Sequence, residues 1–119
     1  MSVRGVAHIA GVFEHPLREI PDKTVPQIHA EVARGALTDA GLTMADVDAY
    51  YSAGDAPGFG ALSMADYLGL DCHHLDDTET GGSSYLLHVQ HAAEAIAAGH
   101  IDVALITLAG KPRTGGAGP

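Results

Sequence analysis

The residues of this chain best suited to chemistry, by type and spacing, are Gly81, Gly82, Ser83 and Ser84, followed by His88 and His91. Small residues ahead of an apolar helix leave backbone N–H groups open. A helix N-terminus also carries a positive dipole end, which suits a carbonyl oxygen, a thiolate or an oxyanion. His88 and His91 stand three apart, so they share one helix face and can approach that end. The simpler reading is an ordinary glycine-rich helix start with Ser83 or Ser84 as N-cap. A serine nucleophile has little support, because there is no G-x-S-x-G elbow and no base to assign to it.

Other constellations are weaker. Cys72, His73, His74, Asp76 and Asp77, with His88 and His91, make a tempting metal set. Their spacing matches no zinc pattern, and adjacent strand residues point to opposite faces. Partly buried or interfacial histidines are the simpler account, so no metal is expected. Eight histidines suggest a pH-sensitive interface, but they are scattered along the chain. Asp76, Asp77 and Glu79 form an acidic cluster that reads as an exposed edge strand protected from aggregation by charge. Tyr50, Tyr51, Phe59 and Tyr67 flank a Gly-rich loop, and core packing suits them better than a substrate channel. Gly5, Gly11 and Gly41 do not make a dinucleotide fingerprint. Gly54, Gly58 and Gly60 lack the Lys-Ser/Thr of a phosphate loop.

Bulk properties narrow the class. The chain has 119 residues, 46% hydrophobic and 18% charged, which fits one globular domain with a modest core. A net charge of −9 with six basic residues argues against nucleic acid, which needs clustered Lys and Arg. The single cysteine, Cys72, excludes an internal disulfide and fits a reducing compartment. No apolar run reaches the length of a membrane span, and Met1–Pro16 lacks the features of a signal peptide. The expectation is a cytoplasmic protein.

The elements that must position these residues follow from pattern. Val3–Phe13 is rich in small and β-branched residues and predicts a first buried strand. Glu14–Lys23 is a loop. Thr24 with Gln27 makes a capping box for a helix over Val25–Ala40, stopped by Gly41. Ala49–Ala53 predicts a second strand, Gly54–Gly60 a loop, and Met64–Leu68 a short helix capped by Ser63 and ended by Gly69. His73–Thr78 is a third, unusually polar extended segment. A long helix then runs from near Gly81 to Gly99. Leu86, Leu87, Val89, Ala92, Ala93, Ala95, Ile96 and Ala97 surround it, so it reads as buried on every side. Asp102–Leu108 is a continuous apolar run of the kind found in a doubly covered strand. Alternation of strands and helices predicts an α/β fold with a mostly parallel mixed sheet around a buried central helix. The domain covers residues 1–110, and 111–119 form a flexible Gly/Pro tail. One layer is missing from this count. An all-apolar helix needs cover that these residues do not supply, so the chain either dimerises extensively or is the first part of a longer protein.

Two stretches carry a family resemblance: AGLTMADVDAYYSAG (residues 40–54) and AAEAIAAGHIDVALITLAGK (residues 92–111). With the order of elements, they resemble the N-terminal half of the thiolase superfamily over residues 3–110. Thiolases place a nucleophilic cysteine at the start of the central helix. Counting back from Ile96 and Gly99 puts that position on Gly82, and Cys72 is ten residues too early. The GGSS turn with His88 and His91 is closer to the cysteine-lacking lipid-transfer-protein-type thiolases of actinobacteria, which include steroid side-chain retro-aldolases. The resemblance implies an acyl-CoA substrate, no further cofactor, and C–C cleavage or acyl transfer in a full-length parent. It implies Ser83, Ser84 and His88 as catalytic residues and Gly81, Gly82 and Tyr85 as substrate-binding ones. It also implies a homodimer through the His73–Thr78 strand and an OB-fold partner protein. The proton-transfer residues would lie in the second half, leaving residues 1–119 inactive alone. The alternative is a non-catalytic assembly or acyl-CoA-binding module.

Overall fold

The computed structural model describes residues 4–53 and 56–110. Helix α1 spans Val25–Ala40, and both halves of the expected capping box form, with Thr24 and Gln27 each bonding the other's backbone N–H. It stops at Gly41, whose φ of 74° is a left-handed conformation that glycine adopts without a Cβ clash. A single 3₁₀ turn, Met44–Asp46, leads into strand β1, Ala49–Tyr51. Helix α2 (Ala61–Leu68), strand β2 (His74–Asp76), helix α3 (Ser84–Ala97) and strand β3 (Ala104–Ile106) follow.

The three strands form a parallel sheet in the order β2-β1-β3, with Tyr50 opposite Leu75 on one side and Leu105 on the other. All of β1 is buried. Alternation sends its side chains to two different cores. Tyr50 packs with Ala33 and Leu37 of α1, Ala61 and Met64 of α2, and Leu105. Ala49 and Tyr51 face Ala92 and Ala95 of α3, with Ile101. The Asp48 carboxylate ties the strand starts together by accepting the N–H groups of Asp102 and Val103, both at 2.9 Å.

Three expectations are corrected. The strand expected over Val3–Phe13 does not form among its described residues, 4–13. A strand needs a neighbour for its backbone groups, and this segment lies against α1 instead. Gly11 abuts Ala36 and Ala40, Val12 N–H donates to Asp39 Oδ2 at 2.9 Å, and Phe13 covers Gly35. Helix α2 begins at Ala61 rather than Met64. Asp77 Oδ1 accepts Ala61 N–H at 2.6 Å and caps it, whereas Ser63 lies inside the helix and accepts Phe59 N–H. Helix α3 buries only one stripe, Ser84, His88, Ala92 and Ala95, while Leu86 is 76% exposed. Of the other apolar residues, Leu87, Ala93 and Ala97 are half-buried and Ile96 packs on the Ala92–Ala95 core, whereas Val89 is 40% exposed. The expected Gly/Pro tail, 111–119, lies outside the described residues.

Candidate functional site at the start of helix α3

In parallel α/β sheets, ligands gather beyond the carboxyl ends of the strands. Strand β2 ends at Asp76, and residues 77–83 carry the chain into α3. Gly81 takes the bend with φ of 80°. Its N–H donates to Glu79 Oε1 at 2.8 Å, and Thr80 bridges Gly82.

The two serines divide their work. Ser84 is fully buried. Its hydroxyl accepts Thr80 N–H at 2.8 Å and lies 2.6 Å from the Gly81 carbonyl, to which it donates. Ser83 is exposed, with its hydroxyl 3.0 Å from Thr80 Oγ1. Gly82 is exposed as well, and a Cβ built there meets nothing within 4 Å. The outer surface of the turn is therefore Gly81, Gly82 and Ser83, and Ser84 braces it from within.

The histidines of α3 brace the same loop. His88 is fully buried, and its Nε2 lies 3.0 Å from the Thr78 carbonyl, which can only accept. Nε2 therefore donates this bond. The ring sits edge-on to Tyr85 and Tyr51, with centroids 5.4 and 5.8 Å apart. One turn on, His91 Nδ1 lies 2.6 Å from Asp76 Oδ2. Burial opposes ionisation of Asp76. Hydrogen bonds from the Thr78 hydroxyl and N–H, and then from His91, outweigh it and hold the carboxyl below its ordinary range. Tyr51 is pushed up to about 12, first by burial and then by the carboxylates of Asp76 and Asp48. Of the residues expected to act on substrate, Gly81, Gly82 and Ser83 reach solvent, Tyr85 is half-buried, and Ser84 and His88 are enclosed.

Cys72 is remote from this turn in structural terms. It packs on the α1–α2 face of the sheet, whereas α3 covers the other face. Burial, and after it Asp48 and Asp71, push its thiol up, away from the thiolate a nucleophile needs. Among the described residues, no three or more His, Cys, Asp or Glu side chains converge to hold a metal ion. No helix there is long and apolar enough to cross a membrane. The aromatics divide: Tyr50 and Tyr51 are core, while Phe59 and Tyr67 are exposed.

One buried polar network escaped the sequence reading. Thr107 Oγ1 meets both His29 Nδ1, at 2.8 Å, and the Tyr50 hydroxyl, and the Thr107 carbonyl accepts from Ser52 at 3.0 Å. The His29 and Thr107 positions are 78 residues apart, so no local pattern signals it.

No family model matches this sequence, and no curated protein matches it. Solved structures do. An SCP2-thiolase-like protein (type 1) from Mycobacterium smegmatis superposes with a TM-score of 0.65 and 26% identity, over 82% of this chain and 22% of that one. An Ltp2-ChsH2(DUF35) aldolase gives a TM-score of 0.85 and 26% identity, over 96% and 30%. OleA of Xanthomonas campestris, solved with bound lauric acid and lauroyl-CoA, shares the fold at a TM-score of 0.61 and 21% identity, over 71% and 27%. The chain thus spans between a fifth and a third of the length of these proteins. Its strand–helix order, its parallel sheet and its small-residue turn into α3 make it a partial thiolase-like α/β domain, with SCP2-thiolase-like and aldolase proteins among those it is similar to.

Proposed function

We propose that this domain supplies the thioester end of a cysteine-free, thiolase-like site for acyl-CoA, serving C–C cleavage or acyl transfer on lipid or steroid thioesters in a larger protein. The observation carrying this reading is the Gly81–Ser83 surface at the start of a 14-residue helix, with Gly82 open to solvent. Negative charge that develops on a thioester oxygen is stabilised at the positive end of a helix. Ser83 contributes its hydroxyl from the exposed side. Ser84 and His88 act from behind, holding the Gly81 and Thr78 carbonyls so that the turn keeps its shape. The groups that move protons belong to polypeptide outside residues 1–119. Assembly in this reading uses the free edge of β2, within His73–Thr78, to pair two copies, and an OB-fold partner completes the complex.

The test is calorimetric titration of octanoyl-CoA into the protein and its Gly82→Trp variant, with circular dichroism as a fold control. The expected result is a loss of roughly tenfold or more in affinity, as an indole covers the turn. Unchanged affinity in a folded variant would sink the reading. A second reading is a binding or assembly module without chemistry. The exposed Leu86 and Val89 on α3 favour it, because apolar groups at 76% and 40% exposure suit a protein contact.

A further inference from the structure

Helices α1 and α2 cover the sheet face opposite α3, and with the 3₁₀ turn they enclose a groove of about 510 Å³. Gln27, Glu31 and Arg34 stand three or four residues apart, so they share the face of α1 that forms one wall. Met44 of the 3₁₀ turn and Tyr67 and Leu68 of α2 line the other side. We infer that this groove docks an acidic segment of a partner protein, with a carboxylate on Arg34 and a neighbouring apolar side chain against Met44, Tyr67 and Leu68.

Charge dictates the sign of the occupant. The chain carries a net charge of −9, yet its few cations gather here. The basic residues within 4–110 are Arg4, Arg18, Lys23 and Arg34, and the last two line the groove. A cation already answered by a neighbour has little left for a partner. Arg18 pairs with Glu14 at 2.8 Å. Lys23 pairs with Glu31, whose carboxylate also meets His15 Nε2 at 2.7 Å. These bonds, that of Lys23 first, hold the Glu31 carboxyl below its ordinary range, so it stays an ionised and satisfied acceptor. Arg34 differs. Its side chain is exposed and makes no ion pair or hydrogen bond among the described residues. A planar guanidinium offers paired N–H donors that match the two oxygens of a carboxylate.

Shape favours a protein segment over a free small acid. Sites for small ligands enclose most of the ligand surface. Here Gln27 and Arg34 are exposed and Tyr67 is 53% exposed, so the groove is a trough open to solvent. Tyr and Arg are the residue types that anchor protein contacts, because each joins a broad flat surface to a polar end. Half-buried Met44 and Leu68 add an apolar floor beside them. A purely apolar occupant would cover Arg34 without answering its charge, at a cost in desolvation. The groove lies on the face opposite α3, so its occupant is independent of the acyl-CoA reading.

The experiment selects binders to the protein from a random phage-displayed heptapeptide library. Fluorescence anisotropy then measures the enriched peptides on the parent, Arg34→Glu and Tyr67→Ala, with circular dichroism as the fold control. Both side chains are exposed, so both variants should fold, and Arg34→Gln replaces Arg34→Glu if it does not. The expected peptides carry Asp or Glu beside an aromatic or aliphatic residue. They should bind Arg34→Glu roughly tenfold or more weakly and Tyr67→Ala roughly fivefold more weakly. Their affinity for the parent should also fall as sodium chloride rises from about 0.05 to about 0.5 M. No enriched peptide, peptides without an acidic residue, or equal affinity for the parent and either folded variant would overturn the inference. Displacement of the peptides by hydrocinnamate at matching concentration would do so as well, since the occupant would then be a free small acid.

Discussion

Asp76 and His91 meet at 2.6 Å, joining the end of β2 to the middle of α3 across 15 residues of chain. With Thr78, whose N–H and hydroxyl lie 2.7 and 2.6 Å from Asp76 Oδ1, they pin the loop that becomes the Gly81–Ser84 turn. His88 adds a second pin at Thr78 carbonyl. The candidate site is thus shaped by a carboxylate and two histidines that need not touch a ligand.

Removing the charge at Asp76 should loosen this loop. Asp76→Asn is expected to cost about 1–3 kcal/mol, the usual range for charge-assisted hydrogen bonds lost from a partly buried site. The sign with pH follows from the lowered pKa of this carboxyl. Its contribution is fully present above the unfolded value, about 3.9, and disappears as pH falls through the lower folded value. Urea unfolding between pH 2 and pH 7 should show a stability loss below about pH 4 that is smaller in Asp76→Asn. Identical pH profiles for the two proteins would rule out this role.

The two glycines of the turn should respond oppositely to alanine. Gly81 sits at φ of 80°, where a Cβ is strained, so Gly81→Ala should cost about 1–2 kcal/mol. Gly82 has an ordinary φ and open space, so Gly82→Ala should stay within about 0.5 kcal/mol of the parent. Thermal or urea melts of both variants decide the matter. A large loss at Gly82 would mean that this position is packed rather than open.

What the sequence made legible was local. Thr24 with Gln27, Gly41 and Gly69 announce the ends of α1 and α2 through bonds only a few residues long, and the structure contains them. The three formed strands were also readable, Ala49–Ala53 and Asp102–Leu108 as short apolar runs and His73–Thr78 as a polar extended segment between two helices. Val3–Phe13 reads identically, yet pairing is a property of the neighbour, and residues 4–53 and 56–110 give it none. Burial of α3 failed for the same reason: Leu86 and Val89 are apolar by sequence, but cover has to come from elsewhere. At the candidate site, spacing identified the Gly-Gly-Ser-Ser turn and the shared face of His88 and His91. It could not tell Ser83, which faces out, from Ser84, which faces in, because that distinction depends on the Thr80 and Gly81 backbone.

Tyr51 makes stability fall at high pH. Its folded pKa of about 12 exceeds the ordinary value near 10. The folded state therefore holds this proton more tightly, and the stability it confers is complete below about pH 10 and is lost as pH rises toward 12. Burial acts in the same direction on Tyr50. Chemical unfolding from pH 9 to pH 12 should show a downward slope that Tyr51→Phe reduces. A slope unaffected by that substitution would place the alkaline sensitivity elsewhere, with Tyr50 as the next group to replace.

Cys72 offers a direct check on the cysteine-free reading. A thioester-forming cysteine is a thiolate near neutrality, with a pKa well below the free value of about 8.5. Burial and the carboxylates of Asp48 and Asp71 push Cys72 the other way. Its alkylation by iodoacetamide should therefore be slower at pH 8 than that of free cysteine, with the midpoint of its rate–pH profile displaced upward from that of the free thiol. Cys72→Ala should leave octanoyl-CoA affinity unchanged, since the side chain packs on the sheet face opposite α3. A midpoint below neutrality, or affinity lost with the thiol, would return nucleophilic chemistry to this residue and remove the argument for a glycine–serine thioester site.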